Sequence, residues 1–318
     1  MDITRRDLLR SALGSAALLP LLPMSAATLF ATTPRQAADA LAARRKEMGA
    51  VPISATPLAD NLTMLSGPGG NVVVLTGPDG KLVVDSFVQP AWPGLKQHLD
   101  ELGAQPIKLL IDSHWHFDHT DNNESFHKAG AAILAHVNTK KRLSETHDVL
   151  GMHFPPSPAG ALPTQTFTDT HKLKMNKDDI EAGRIPPAHT DTDIYVRFSR
   201  GNALHMGDVF FNGMYPFFDV STGGNIDGMI AGATLGIKVS DNATKIVPGH
   251  GPLGDKAALT SYRDMLVTVR ERVQKLKTSG RPVKDVVAAK PTADLDGTWA
   301  KGFMPADAFV ELVYNTLK

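Results

Sequence analysis

In the stretch IDSHWHFDHTDNN, Ile111 to Asn123, the residues His114, His116, Asp118 and His119 stand almost side by side. Imidazoles and a carboxylate at this density suit a divalent cation. The apolar run PIKLLID just before them reads as a buried strand, so the cluster begins where a strand ends. Residues two apart on an extended segment point the same way, which lets His114 and His116 grip one ion. Asp118 and His119 follow after a bend and face elsewhere, toward a second ion. The 318-residue chain has no cysteine, which removes disulfides, thiolate ligands and cysteine nucleophiles together. Any metal is therefore held by histidine and carboxylate. A zinc site usually takes four donors, water included, so more ligands must come from later strand ends.

Three places offer them. PPAHTDTDIYV puts His189 just before a strand. ALHMGDVFF puts Asp208 directly after one, with Gly207 leaving room for close backbone approach. IVPGHGP puts His250 after another strand, between two glycines. Taken singly, each is an ordinary turn or capping residue; beside the opening cluster, they form a set. His98, His127, His136, His147, His171 and His205 lie on helix-like or strand-like stretches and are read as structural. His153 is set apart because it falls in the Pro- and Gly-rich segment Leu150 to Thr164, a loop without period that could cover a site.

The elements that must position these residues alternate. NLTMLSGPGGNVVVLTGPDGKLVVDSF reads as three strands separated by Gly-Pro turns, and a helix is expected over Pro93 to Leu102. Between Thr166 and Phe211 strands return as HKLKM, DIYVRF and NALHMGDVFF, NIDGMIAGATLGIKV has a helical pattern, and a long helix spans Asp255 to Ser279. Strands followed by helices, twice over, predict an α/β fold of two packed sheets with helices outside. Residues 32–59 read as a linker or helix, and residues 60–318 as the domain with C-terminal helices. With 42% hydrophobic and 21% charged residues, and 33 basic against 33 acidic, the chain is an ordinary globular protein. It lacks the basic surface that nucleic-acid binding requires.

Residues 1–31 read separately. Arg5, Arg6 and Arg10 precede a short apolar run broken by Pro20 and Pro23, then small residues, which describes a secretory signal peptide. The run is too short for a good transmembrane helix, so no stable membrane anchor is expected after cleavage. TRRDLL, Thr4 to Leu9, resembles the twin-arginine signal, implying the twin-arginine export machinery as a partner and a periplasmic or secreted location.

The opening cluster with His189, Gly207-Asp208 and His250 resembles the metallo-β-lactamase fold hydrolase superfamily and its His-x-His-x-Asp-His signature. The resemblance spans about Asp60 to Ser279. It implies a four-layer αβ/βα sandwich with the metals at one edge of the two sheets. It also implies two zinc ions per chain, one held by His114, His116 and His189. The other is held by Asp118, His119 and His250, with Asp208 bridging, the ions about 3.5–4 Å apart. By the same resemblance Asp118 is the catalytic residue that orients a hydroxide and carries a proton to the leaving group, and Thr190 or Asp191 would support His189.

Branches of the family differ from this chain. The flavodiiron branch has a carboxylate where His116 stands. One β-lactamase subclass needs a cysteine, and another lacks the bridging Asp208. RNA-processing relatives carry an inserted domain that this chain is too short to hold. The full set looks more like the glyoxalase-pathway thioesterase, without its basic end, and like homoserine-lactone lactonases. The reading is an exported dizinc hydrolase of a small ester, lactone, thioester or amide. A β-lactamase and a non-catalytic zinc-binding protein are the alternatives. Tyr215, Phe217 and Phe218 either line a substrate pocket or pack on the sheet edge, while Trp115 and Phe117 are read as packing residues.

Overall fold

The computed structural model describes residues 34–318; the export-signal reading of residues 1–31 falls outside the described residues. The first helix, α1 (Pro34–Gly49), is followed by a seven-stranded sheet, order β1-β2-β3-β4-β5-β6-β9. Its members are β1 (Ser54–Ala59), β2 (Leu62–Ser66), β3 (Val72–Leu75), β4 (Lys81–Val84), β5 (Ile107–Ile111), β6 (Ala132–His136) and β9 (Gln165–Phe167). The β1–β4 meander is antiparallel, and β4, β5, β6 and β9 run parallel. Parallel neighbours need crossovers, supplied by α2 (Trp92–Glu101) between β4 and β5 and by α4 (Asn123–Lys128) between β5 and β6. α5 (Val137–Leu143) follows β6.

The second sheet has five strands, β10 (Thr170–Met175), β11 (Asp178–Arg184), β12 (Ile194–Phe198), β13 (Ala203–His205) and β14 (Lys245–Val247). Between β13 and β14 runs α6 (Ile226–Val239); after β14 comes α7 (Lys256–Thr278) and then the shorter α8 (Val283–Ala288), α9 (Asp296–Trp299) and α10 (Ala306–Thr316). Alternation along the strands sorts the layers. Met64, Val73, Val84 and Ile111 face Ile180, Val196, Phe198 and Val247 between the sheets. Leu65, Val72, Val74 and Val83 point the other way, onto Leu95 and Leu99 of α2. Leu204 and Ile246 meet Met229, Tyr262, Leu266 and Val269 of α6 and α7. The result is the helix–sheet–sheet–helix sandwich expected from the sequence.

Three strands go beyond that expectation. Ser54–Ala59, expected as the end of a linker, is edge strand β1, held by its pairing with β2 and by Leu58, which inserts into the inter-sheet core. DDIEAGR shows no clean apolar alternation, yet it is β11, pairing on both sides; Asn176 and Lys177, at φ 54° and 63°, make the tight turn that folds it onto β10. Where a period-free loop is expected from Leu150, the chain has β8 (Met152–Phe154), a hairpin partner of β7 (His147–Val149) that joins neither sheet. No helix of the described residues is long and apolar enough to cross a membrane.

Candidate metal centre

The loops after β5, β13 and β14 and the loop before β12 converge at one end of the sandwich, and each carries part of one cluster. After β5 the chain bends through Ser113, His114 and Trp115, is extended at His116 (φ −63°, ψ 148°), and then winds into the short helix α3 (Phe117–Thr120). That change of backbone sends His114 and His116 one way and Asp118 and His119 another. Asp208 sits on the 3-10 turn Gly207–Val209 after β13. The ligand atoms of His114, His116, His189 and Asp208 lie within 4.8 Å of one another, as do those of Asp118, His119 and His250. Asp208 reaches both groups. Its Oδ2 is 3.4 Å from His189 Nε2 and 3.3 Å from His250 Nε2, and its Oδ1 is 3.1 Å from His119 Nε2.

All seven residues named from the sequence are thus brought together, and the chemistry of the set fits cations. His114 Nε2 is buried without a hydrogen-bond partner, and His119 Nε2 and Asp208 Oδ1, although 3.1 Å apart, make no hydrogen bond of good geometry. Three orphaned polar atoms converging in one buried spot are costly unless an ion satisfies them. Two close approaches make the geometry possible. A Cβ on Gly249 would fall 1.9 Å from Asp208 Oδ1, and a Cβ on Gly70 would fall 1.9 Å from His119 Cε1.

The imidazoles are oriented from behind. Asp85, at the end of β4, accepts from His119 Nδ1 at 2.7 Å and from the Ser113 backbone and hydroxyl, also at 2.7 Å. Asp219 Oδ2 lies 3.5 Å from His116 Nε2 and accepts from the Thr222 hydroxyl at 2.7 Å. The Phe217 carbonyl accepts from His189 Nδ1 at 2.8 Å. That corrects the expectation for Thr190 and Asp191: Thr190 bonds Asp193, and Asp191 pairs with Arg142 at 2.8 Å. Asp193 nevertheless fixes the His189 backbone, accepting its N–H at 2.7 Å. His205 keeps a structural role, with Nε2 on the Asn71 carbonyl, and His153 bonds Asp148 instead of covering the site.

Electrostatics divides the histidines into two kinds. Burial holds His114 well below its ordinary pKa and His189 down at about 4, so both are neutral near pH 7. Burial also opposes charge on His119 and His250. There the Asp208 and Asp118 carboxylates outweigh it, lifting His119 well above its usual value and His250 to about 9. Reciprocally, burial would raise Asp118, but the His119 and His250 charges hold it at about 2. Asp208 is likewise held low, by His250 and His119 against its burial.

The cluster is the floor of a cleft. His116, Asp118, Asp208 and His250 line it beside Phe117, Phe217 and Phe303, with Met48 and Val51 on one side and Leu150, Met152 and Phe154 on another. Of the aromatic segment after Asp208, only Phe217 reaches the cleft; Tyr215 and Phe218 are fully buried in the core. Trp115 packs against His147 and Phe154, as a packing residue should.

Residues 65–250 match the sequence model of the Metallo-beta-lactamase superfamily. A probable metallo-hydrolase of Methanocaldococcus jannaschii is 24% identical over 195 residues, covering 58% of this chain and 89% of that protein. A metallo-beta-lactamase from Pontibacter korlensis superposes with a TM-score of 0.57 at 16% identity, covering 67% of this chain and 98% of that one. The sec-alkylsulfatase Pisa1 from Pseudomonas sp. superposes at 0.64 with 14% identity, over 83% of this chain and 50% of that one. At such identities the two structures speak for the fold alone. The family match itself extends from β2 to His250, through every loop of the cluster, and places this chain in the metallo-beta-lactamase superfamily of metallo-hydrolases.

Proposed function

We propose that the chain is a dizinc hydrolase of a small ester, lactone, thioester or amide. The observation that carries this reading is the convergence of seven buried or nearly buried His and Asp side chains, three of whose polar atoms are left without a hydrogen bond. His114, His116 and His189 would hold one zinc; Asp118, His119 and His250 would hold the other, with Asp208 shared. When bound, a zinc pair supplies Lewis acidity and lowers the pKa of water toward neutrality. Asp118 lines the cleft, lies 3.3 Å from His250 and is held ionised near pH 7. It can accept a proton from an attacking water and return it to a leaving group, the general-acid/base role. Asp85, Asp219 and the Phe217 carbonyl fix the orientations of the His119, His116 and His189 rings. Apolar side chains wall the cleft above them.

Residues 1–31 are proposed as a twin-arginine-type signal delivering the domain to the periplasm or medium. Export of an already folded chain suits a protein that loads its metal in the cytoplasm.

A panel of lactones, thioesters, esters and nitrocefin assayed on zinc-loaded protein tests the activity. One responsive class, abolished in Asp118→Asn, is expected. Nitrocefin cleavage alone would move the reading to a β-lactamase. Inertness to every member in a protein carrying both ions would refute catalysis and leave a zinc-binding protein.

A further inference from the structure

The β7–β8 hairpin closes on the Val149–Met152 pair and turns through Leu150 and Gly151, at φ 50° and 73°. A two-residue turn with both residues left-handed selects Asn-Gly, Asp-Gly or Gly-Gly. Gly151 follows that rule and Leu150 breaks it, because a leucine Cβ is crowded in the left-handed region. Leu150 is half-buried: it packs at the margin of the cluster around Trp115 and Phe154, and it lines the cleft along with His116, Asp118 and His250. Strain held at a cleft points to a side chain serving the ligand rather than the turn.

The adjoining wall comes from α1, which lies before the matched residues 65–250. α1 meets the hairpin through β8. Arg45 ties it to the metal loop by two hydrogen bonds of 2.6 Å to Asp121, just beyond α3. Met48 of α1 and Met152 of the hairpin present unbranched, adaptable thioethers to the cleft. Apart from the candidate ligands, the cleft's one charged side chain is Arg44, engaged with Glu47 at 2.9 Å. Nothing on these walls is suited to a sugar or a highly charged substrate.

We propose that the hairpin tip and α1 form a clamp for an unbranched aliphatic chain carried by the substrate, with Leu150 as its specificity-determining contact. That the chain lies next to the bond cleaved rests on the hydrolase reading above; that it binds does not. The test is calorimetric titration of straight-chain primary alcohols, butanol to decanol, into metal-free and zinc-loaded protein. Affinity is expected to rise roughly fourfold per methylene until the clamp is filled. Leu150→Gly and Leu150→Asn, both at ease in a left-handed turn, should weaken octanol binding about tenfold while Tm holds or rises. A leucine with a purely structural role would do the opposite, lowering Tm and leaving octanol binding untouched. A flat chain-length series, or unchanged octanol binding in a folded variant, overturns the clamp. Graded binding without turnover of any ester would count against the hydrolase reading alone. Turnover with a flat series would count against the clamp alone.

Discussion

In the metal-free cluster the protons on His119 and His250 stand in for cations. Burial disfavours them, but Asp208 and Asp118 outweigh it and hold His250 at about 9, against an ordinary 6.5. A histidine raised on folding contributes stability that is fully present below its unfolded pKa and is lost as pH rises through the folded value. Metal-free protein should therefore lose Tm between about pH 6.5 and 9, whereas zinc-loaded protein, its imidazoles already deprotonated, should not. A parallel fall in both forms, followed by calorimetry, would refute this account of the cluster. Asp118→Asn should lower kcat by about 10²- to 10⁴-fold, the usual weight of a general acid or base, as read by steady-state kinetics. At this scale the seven ligand candidates were legible because each is a histidine or aspartate at a strand end. Their supports were not. Asp85 and Asp219 lie 34 and 103 residues from the histidines they orient, and the Phe217 carbonyl is backbone, which no side-chain pattern announces.

Between elements, the site depends on backbones passing close together. A Cβ at position 249 would meet Asp208 Oδ1 at 1.9 Å and the Gly207 carbonyl carbon at 2.7 Å, neither of which is a flexible chain end. Gly249→Ala should cost about 1–3 kcal/mol in urea unfolding and reduce bound metal, because Asp208 must move. Retained stability and full metal content would show that the loop can give way. α1 is attached differently, through the Arg45–Asp121 pair and the contacts of its buried face with the hairpin. Arg45→Met should raise amide exchange across Pro34–Gly49 while metal content stays constant; unchanged exchange would mean that packing alone docks the helix. The helices and most strands were readable from apolar period, since their buried faces are regular. β1 and β11 were not, because each is held by its neighbours rather than by its own pattern: SATPLA buries only Leu58 fully, and DDIEAGR depends on partners on both sides. The β7–β8 hairpin hid behind Leu150, a residue that two-residue turns disfavour.

Across the whole molecule, two sheets of seven and five strands bury one core between them and carry helices on their outer faces. Strands are stiff and their end loops are free, so chemistry gathers at one edge while the core sets its geometry. That architecture was legible from the order of elements together with the loop motifs. The cleft walls were not, since they join α1, the hairpin and Phe303 from segments far apart in sequence. What fills the cluster decides the chemistry of the site. The direct measurement is elemental analysis of protein purified without chelator, set beside His119→Ala and His114→Ala. Two zinc ions per chain, falling to about one in each variant, is the predicted result. Iron, a single ion in the unaltered protein, or no loss in either variant would contradict it.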